Sequence, residues 1–303
     1  MDESHRTMPG APPTIAPAKR IRNSAHITPI TDDDITAVAG FLHANLNDQV
    51  PWAQSCVATP WKADAPNHGF MLRDGQRVVG ALLALYSERL IAGRSERFCN
   101  LGSWCVLPDY RSCSMSLLRT LLAQEGYTFT VLTPDAASQE ILSWLGFGVL
   151  DTEAAAIPNL PWPVLPGQTK VSADPAVIDN ALTGTQRVLY RDHAGAMAAH
   201  HLVLTDGTDS CHVIWREARY GRKPVAQILH VGNTALFHRS LLPLTRHLLI
   251  RHRLVATLAE LRVIDRRPHL SIRHNVWPKM YRSTSLTAEQ IDYLYSELMW
   301  VPW

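Results

Sequence analysis

The stretch VLPDYRSCSMSLL at 106–118 narrows the folds open to this chain more than any other segment. An apolar strand signal ends there in a proline-containing turn, and a leucine-rich helix signal begins at once. A buried strand signal, YTFTVLT, follows at 127–133. A strand, a tight turn, a helix and a second strand in this order are typical of an α/β fold.

Further signals extend this unit over the whole chain. In the first half they predict a helix from a capping box at Thr31, a hairpin turning at Asp74-Gly75, and elements at 25–30, 69–86, 97–106, 112–125, 133–146 and 147–152. In the second half they predict a helix from an Asp174-Pro175 start, strands at 201–207, 211–219, 225–231 and 254–264, and helices at 240–252 and 287–298. This order of elements predicts the α/β fold class, with mixed parallel and antiparallel sheets of the α+β type.

A proline-rich segment divides the chain. Four prolines fall within the twelve residues 157–168, which is typical of a stiff connector. We therefore predict a disordered arm at 1–24, a first domain at 25–156, a linker at 157–172 and a second α/β domain at 173–303. The two halves also share an order of signals, which indicates an internal duplication, although mixed α/β chains can show such an order by chance.

Composition excludes several classes of protein. Lys and Arg number 29 against 27 Asp and Glu, a net charge of +2 that argues against a dedicated nucleic-acid surface. No apolar run reaches the length of about 18 residues that a membrane span needs. The five cysteines are scattered, as in a protein of the reducing cytosol. We expect a cytoplasmic protein without a membrane span, and composition leaves a homo-oligomer open.

The turn at 111–116 carries the strongest chemical signal. Small residues precede the helix, so successive backbone N–H groups and the positive helix end can point at one anion. Serines stand where glycine would make close backbone approach easiest. The residues of this candidate phosphate cradle are Arg111, Ser112, Cys113, Ser114, Met115 and Ser116. The alternative is a serine-capped helix without a ligand.

The same residues carry a family resemblance. The stretch resembles the motif V-x-P-x-x-R-[GS]-x-G-x-[GA]-x-x-L of the GNAT acetyltransferase superfamily, and SQEILSWLGF at 138–147 resembles that family's second motif. The resemblance covers roughly 25–155 and implies a GNAT-like first domain that uses acetyl-CoA or another acyl-CoA as co-substrate, with no metal. It adds Cys105 and Val106 to the cofactor-binding residues. The second domain is expected to be a degenerate GNAT-like partner.

The resemblance leaves the catalytic groups unassigned. The family's usual base and acid fall on Gly102 and Leu142, which can do neither task. Substitute candidates are scattered through the chain: Glu96, Cys105, Asp192, His193 and His230. For Cys105 the alternative is a small buried apolar residue, and for each histidine it is a solvated or hydrogen-bonded side chain. A segment with Lys279, Tyr281 and Arg282 is either a substrate groove or a surface loop.

We therefore predict an acyl-CoA-dependent acyltransferase, an N-acetyltransferase in type. The acceptor would be an amine or a hydroxyl of a small molecule or sugar intermediate. One alternative is a non-catalytic GNAT-fold protein that binds a ligand or serves in an assembly. Another is an aminoacyl-tRNA-dependent transferase, against which the nearly neutral charge argues.

Overall fold

The computed structural model describes residues 25–56, 59–61, 63–163 and 169–302. The predicted arm at 1–24 and the middle of the predicted linker lie outside the described residues. In the described chain, no helix is both long enough and apolar enough to span a bilayer.

The first half contributes six strands to a seven-stranded sheet. Its elements are β1 (Ala25–Pro29), a 3-10 turn (Asp32–Asp34), α1 (Ile35–Asn45), α2 (Trp52–Ser55), β2 (Gly69–Asp74), β3 (Arg77–Ile91), β4 (Arg94–Val106), a 3-10 helix (Pro108–Cys113), α3 (Ser114–Leu122), β5 (Thr128–Val131), α4 (Ala136–Trp144) and β6 (Gly148–Val149). The second half adds β7 (Glu153–Pro158), β8 (Lys170–Ser172), α5 (Pro175–Ala181), α6 (Gly184–His193), β9 (His200–Asp206), β10 (Asp209–Tyr220), β11 (Lys223–Val231), α7 (Thr234–Arg239), α8 (Leu241–His252), β12 (Ala256–Glu260), α9 (Leu261–Ile264), β13 (Ile272–Asn275), β14 (Met280–Arg282), a 3-10 turn (Ala288–Gln290) and α10 (Glu297–Trp300).

The two sheets have the same topology. The first runs β1-β2-β3-β4-β5-β14-β6, and the second, read in the matching direction, runs β8-β9-β10-β11-β12-β7-β13. Each contains one parallel pair, β4 with β5 and β11 with β12. The predicted fold class, α/β with mixed sheets in both halves, is therefore confirmed.

The halves exchange strands. β14 lies between β5 and β6 in the first sheet, although it comes from the end of the chain. β7 lies between β12 and β13 in the second sheet, although most of it falls within the first domain predicted at 25–156. Backbone hydrogen bonds of both sheets therefore cross the predicted boundary at 157–172, which stays a prediction.

Local chemistry explains most element boundaries. Gly75 turns the β2–β3 hairpin with a φ of +59°, a conformation that glycine adopts without strain. Asp174 starts α5 by accepting the N–H groups of Ala176 and Val177. The capping box predicted at Thr31 forms with Asp34.

Several predicted elements were wrong in extent. The helix predicted from Thr133 is capped by Asp135, whose carboxylate accepts the Ser138 N–H. The strand predicted at 254–264 ends at Glu260 and turns into α9. The helix predicted over 287–298 is a 3-10 turn followed by irregular chain with a turn at 294–295, and only α10 is α-helical. Within the segment predicted as a groove or surface loop, Tyr281 and Arg282 belong to β14 and Lys279 directly precedes it. Arg282 donates to the carbonyls of Leu122 and Leu145 at the ends of α3 and α4.

The first sheet packs on both faces. α3 and α4 cover one face through a cluster that includes Leu101, Leu118 and Leu142. α1, α2 and the chain's last segment cover the other face, where Trp52 and Trp300 belong to one core. The C-terminal residues thus lie against the centre of the first sheet, next to the place where β4 and β5 separate.

Candidate functional site

Strands β4 and β5 separate part-way along their length. Their parallel pairing covers Phe98–Thr128, Cys99–Phe129 and Asn100–Thr130, and it stops there. β4 continues to Val106 while β5 ends at Val131. Beyond Asn100, the edge of β4 that faces β5 has no strand partner from β5, and the opening between the strands is here called the β4–β5 cleft.

A β-bulge lies at the mouth of this cleft. Leu82 pairs with Trp104 and Ala84 pairs with Leu101, so two steps along β3 match three along β4. The extra residue falls at 102–103, opposite Leu83. A bulge bends its strand and re-aims the neighbouring side chains, and here it turns β4 away from β5.

The cleft encloses a cavity of about 340 Å³. β4 contributes 101–104, the segment after β5 contributes 133–135, and the helices contribute Leu118, Ser138 and Leu142. Two buried donors on its wall, Ser103 Oγ and Trp104 Nε1, have no hydrogen-bond partner among the described residues. Buried polar atoms are normally paired, so these two donors leave hydrogen-bonding capacity beside the cavity.

The predicted phosphate cradle adopts a tighter structure than an open loop. Pro108–Cys113 is a 3-10 helix that runs directly into α3. The Tyr110 N–H donates to Leu107 O, and the Ser114 N–H donates to Arg111 O. Arg111, Ser112 and Ser116 are exposed, whereas Cys113, Ser114 and Met115 are half-buried. Within the part of the chain that the structure describes, no side chain caps the start of α3.

A groove of about 330 Å³ lies between α3 and α4. Met115 and Arg119 form one wall, and Ile141, Trp144 and Leu145 form the other. Trp144 is 87% exposed, so its ring is open to a flat partner. The groove and the cleft are lined by the same two helices.

Solved structures with the same arrangement establish the fold. A GCN5-related N-acetyltransferase from Kribbella flavida is 13% identical, with a TM-score of 0.57, and the alignment covers 88% of this chain and 72% of that one. One from Anabaena variabilis is 12% identical, with a TM-score of 0.55 and coverages of 85% and 72%. A probable N-acyltransferase from Enterococcus faecalis is 13% identical, with a TM-score of 0.57 and coverages of 86% and 72%.

The chain has the GNAT fold. No protein-family model and no curated protein sequence matches it. In this GNAT fold the second half repeats the bulge as well as the sheet: Ile214 pairs with His230 and Trp215 with Ile228, which leaves Leu229 as the extra residue on β11. There, however, α9 packs against β11, and Asn233 caps α7 by accepting the Leu236 N–H.

The cleft of the GNAT fold has little acid–base chemistry on its own wall. Asp135 is the one titratable residue among those that line the cavity in the described chain. Its carboxylate accepts the Ser138 backbone N–H, and this bond lowers its pKa. Gly102 and Leu142, where the family's base and acid were expected, both line the cavity without any proton to exchange.

Cys105 and Glu96 lie on β4 but away from the cavity. The Cys105 thiol is half-buried, contacts the Asn45 carbonyl at 3.8 Å, and has its pKa raised by burial, so it is a poor nucleophile. Glu96 accepts the Ser285 hydroxyl at 2.8 Å. It precedes Gly102 by six residues, about 20 Å along an extended strand. Val106 pairs with Gly80 at the end of β4.

The structure brings Asp192 and His193 together with the end of the chain. Tyr295 donates its hydroxyl to Asp192 at 2.7 Å and its backbone N–H to His193 Nε2 at 3.1 Å. Burial lowers the pKa of His193 to about 4, so the ring is neutral and accepts that bond. His230 lies near enough to His193 for the two rings to interact electrostatically, and it hydrogen-bonds Gln186 at 3.1 Å.

Sequence reasoning missed Glu297. Its carboxylate oxygen Oε1 accepts the Leu132 N–H at 3.0 Å and the Thr133 hydroxyl at 3.3 Å, just where β5 ends. Its own N–H donates to Asn100 Oδ1 at 2.8 Å. The side chain is fully buried, and burial raises its pKa to about 7. An acidic residue within the apolar run LYSELMW at 294–300 was the available signal, because a charge among apolar neighbours needs a buried partner.

Proposed function

We propose that the protein is an acyl-CoA-dependent acyltransferase whose donor lies in the β4–β5 cleft. The observation that carries this proposal is the cleft beyond Asn100, where β4 has no partner from β5 and a cavity of about 340 Å³ lies beside the strand edge. The pantetheine arm of CoA is an extended chain with two amides. Such a chain suits an unpaired strand edge, which offers backbone donors and acceptors in a row.

The rest of the donor has a place on the same two helices. The groove between α3 and α4 presents Trp144, whose exposed ring suits stacking by a flat base. Arg111 and the start of α3 are the groups suited to the pyrophosphate. The Ser114 N–H donates its hydrogen bond to the Arg111 carbonyl. For this N–H to bind a phosphate, the 3-10 helix at Pro108–Cys113 therefore has to open.

The acceptor is an amine or a hydroxyl of a small molecule. It would approach the cleft from the face of the sheet that α1, α2 and the C-terminal segment cover, opposite α3 and α4. All five cysteines are free thiols, which agrees with a protein that works in the reducing cytoplasm.

Calorimetry with CoA and acetyl-CoA tests the donor site. Ser138 lines the cavity, so Ser138→Trp should fill it and lower the affinity at least tenfold, which is about 1.4 kcal/mol. Ser143→Trp is the matched control, because it places the same ring on the exposed side of α4. No heat from the unmodified protein with any acyl-CoA would refute the proposal.

Binding without turnover would instead support a non-catalytic ligand-binding protein. Gly102 and Leu142 favour this second function, since neither supplies an acid or a base to the cavity. Release of free CoA thiol, followed by a thiol reagent over a panel of amines, separates the two functions.

A further inference from the structure

One oxygen of the Glu297 carboxylate accepts a backbone hydrogen bond that helps to hold the structure together, and the other oxygen does not. Where two parallel strands separate, backbone groups lose their ladder partners and need others. Glu297 Oε1 supplies one, since it accepts the Leu132 N–H at the end of β5. A glutamine amide oxygen would do this equally well and without a buried charge.

This structural role does not explain why the second oxygen of the carboxylate is present. Glu297 Oε2 is buried and has no hydrogen-bond partner among the described residues. The charged groups that face the carboxyl are Arg216 and Lys279. Both have other partners: Arg216 donates to Leu298 O at 3.3 Å, and Lys279 forms an ion pair with Glu260. Both cations interact with the Glu297 charge, but Oε2 is bonded to neither of them in the described chain and keeps its capacity to accept a proton.

Thr133 connects this carboxyl to the cavity. Its residue lines the β4–β5 cleft, and its hydroxyl donates to Glu297 Oε1 at 3.3 Å. Asn100, which holds the Glu297 N–H, is the last residue of β4 before the cleft. The carboxyl is thus one hydroxyl away from the space in which the acyl donor is proposed to lie.

We propose that Glu297 is the base of the transfer reaction and takes the acceptor's proton through Thr133. This inference rests on the proposed function. An ammonium proton of the acceptor passes to Thr133 Oγ1, whose own proton moves to the Glu297 carboxylate. The neutral amine nitrogen then bonds the thioester carbon, the carbon–sulfur bond breaks, and CoA leaves as a thiolate. The proton that the nitrogen loses as the amide forms goes to this thiolate, and Glu297 returns its proton to solvent.

The acceptor class follows from this chemistry. An alkylamine is an ammonium ion at neutral pH and must lose a proton before it can attack, whereas an arylamine is already neutral. A carboxyl that titrates near pH 7 is suited to the first kind, because a base is most effective when its pKa lies near the working pH. Alkylamines are therefore the acceptors that need Glu297.

Steady-state kinetics of Glu297→Gln and Thr133→Val test the proposal. Glutamine keeps an oxygen for the Leu132 N–H and valine keeps the shape of threonine, so both variants should fold and bind acyl-CoA. With an alkylamine, Glu297→Gln should lower kcat by about 10²–10⁴-fold, the usual contribution of a general base. Thr133→Val should lower kcat in the same direction, and the loss with an arylamine should be much smaller for both.

The pH profile separates a base from a structural group. In the unmodified protein, kcat/KM for an alkylamine should fall as the pH drops below about 7, and Glu297→Gln should lose this inflection. Glu125→Gln, which changes an exposed carboxyl, is the control. Unchanged kcat and pH profile in Glu297→Gln would overturn the assignment while leaving the proposed function intact. Absence of turnover in the unmodified protein would overturn both. If Glu297→Gln fails to fold, an unchanged Thr133→Val overturns the relay.

Discussion

Asn100 and Glu297 are joined across 197 positions of sequence by a hydrogen bond of 2.8 Å from the Glu297 N–H to Asn100 Oδ1. The Asn100 side chain also donates to the Thr130 hydroxyl at 3.0 Å. One buried amide therefore ties together β4, β5 and the end of the chain at the point where the β4–β5 cleft opens.

Removing this amide should loosen the C-terminal segment. Asn100→Ala leaves the Glu297 N–H buried and unsatisfied, which costs about 1–3 kcal/mol of the free energy of unfolding. Urea unfolding measures this loss. Asn180→Ala, on the exposed surface of α5, is the control and should change stability little. If the two variants are equally stable, the hydrogen bond between Asn100 and Glu297 does not contribute to the free energy of unfolding.

Local signals predicted the framework of the first sheet well. The hairpin at Asp74-Gly75, the strand before the proline turn and the caps at Thr31 and Asp174 depend on residues within a few positions of one another. Such features are readable from sequence because their physics is local.

The exchanged strand β14 and the Glu297 contacts could not be read in this way. β14 is three residues long, and it is a strand because Val131 and Val149 pair with Met280 on either side. The capping box at Thr287 forms as predicted, but irregular chain follows it, since Leu294 and Leu298 are held in a core cluster that residues of both halves build. Partners distant in sequence override local propensity there.

The phosphate cradle gives a second prediction. Arg111→Ala should weaken CoA binding about tenfold, the loss expected for one charge-assisted hydrogen bond of about 1.4 kcal/mol. Pantetheine lacks the pyrophosphate, so its affinity should not change. Calorimetry with both ligands measures this, and Arg77→Ala, exposed on β3, is the control. If Arg111→Ala lowers the affinity for CoA and for pantetheine equally, Arg111 does not bind the pyrophosphate.

Buried histidines should make the protein sensitive to acid. Burial lowers the pKa of His193, His201 and His230 to about 4 each, whereas unfolded histidine titrates near pH 6.5. Between these values the unfolded chain binds more protons, so stability falls as the pH drops below about 6.5. The slope should be about 1.4 kcal/mol per pH unit for each such histidine.

Urea unfolding at a series of pH values from 7 to 4 measures this slope. His201→Gln removes one of these histidines. It should reduce the dependence of the unfolding free energy on pH by the contribution of one histidine, independently of its effect on the stability at pH 7. His43→Gln changes an exposed ring on α1 and should leave the slope as it is. A slope that His201→Gln does not alter would mean that this ring is already protonated in the folded protein or that it titrates normally.

The ion pair of Lys279 and Glu260 should behave as a unit. The two side chains are 1% and 2% exposed and lie 2.5 Å apart, and Tyr293 also donates its hydroxyl to Glu260. Lys279→Met leaves Glu260 as an uncompensated buried charge, so it should destabilise the protein by about 3–5 kcal/mol. Lys279→Met combined with Glu260→Leu removes both charges and should recover much of the loss. A double-mutant cycle by urea unfolding measures the coupling free energy between the two side chains, and additive losses of stability would contradict it.

Lys279 directly precedes β14. The same cycle therefore also measures how much this ion pair stabilises the pairing of the exchanged strand in the first sheet.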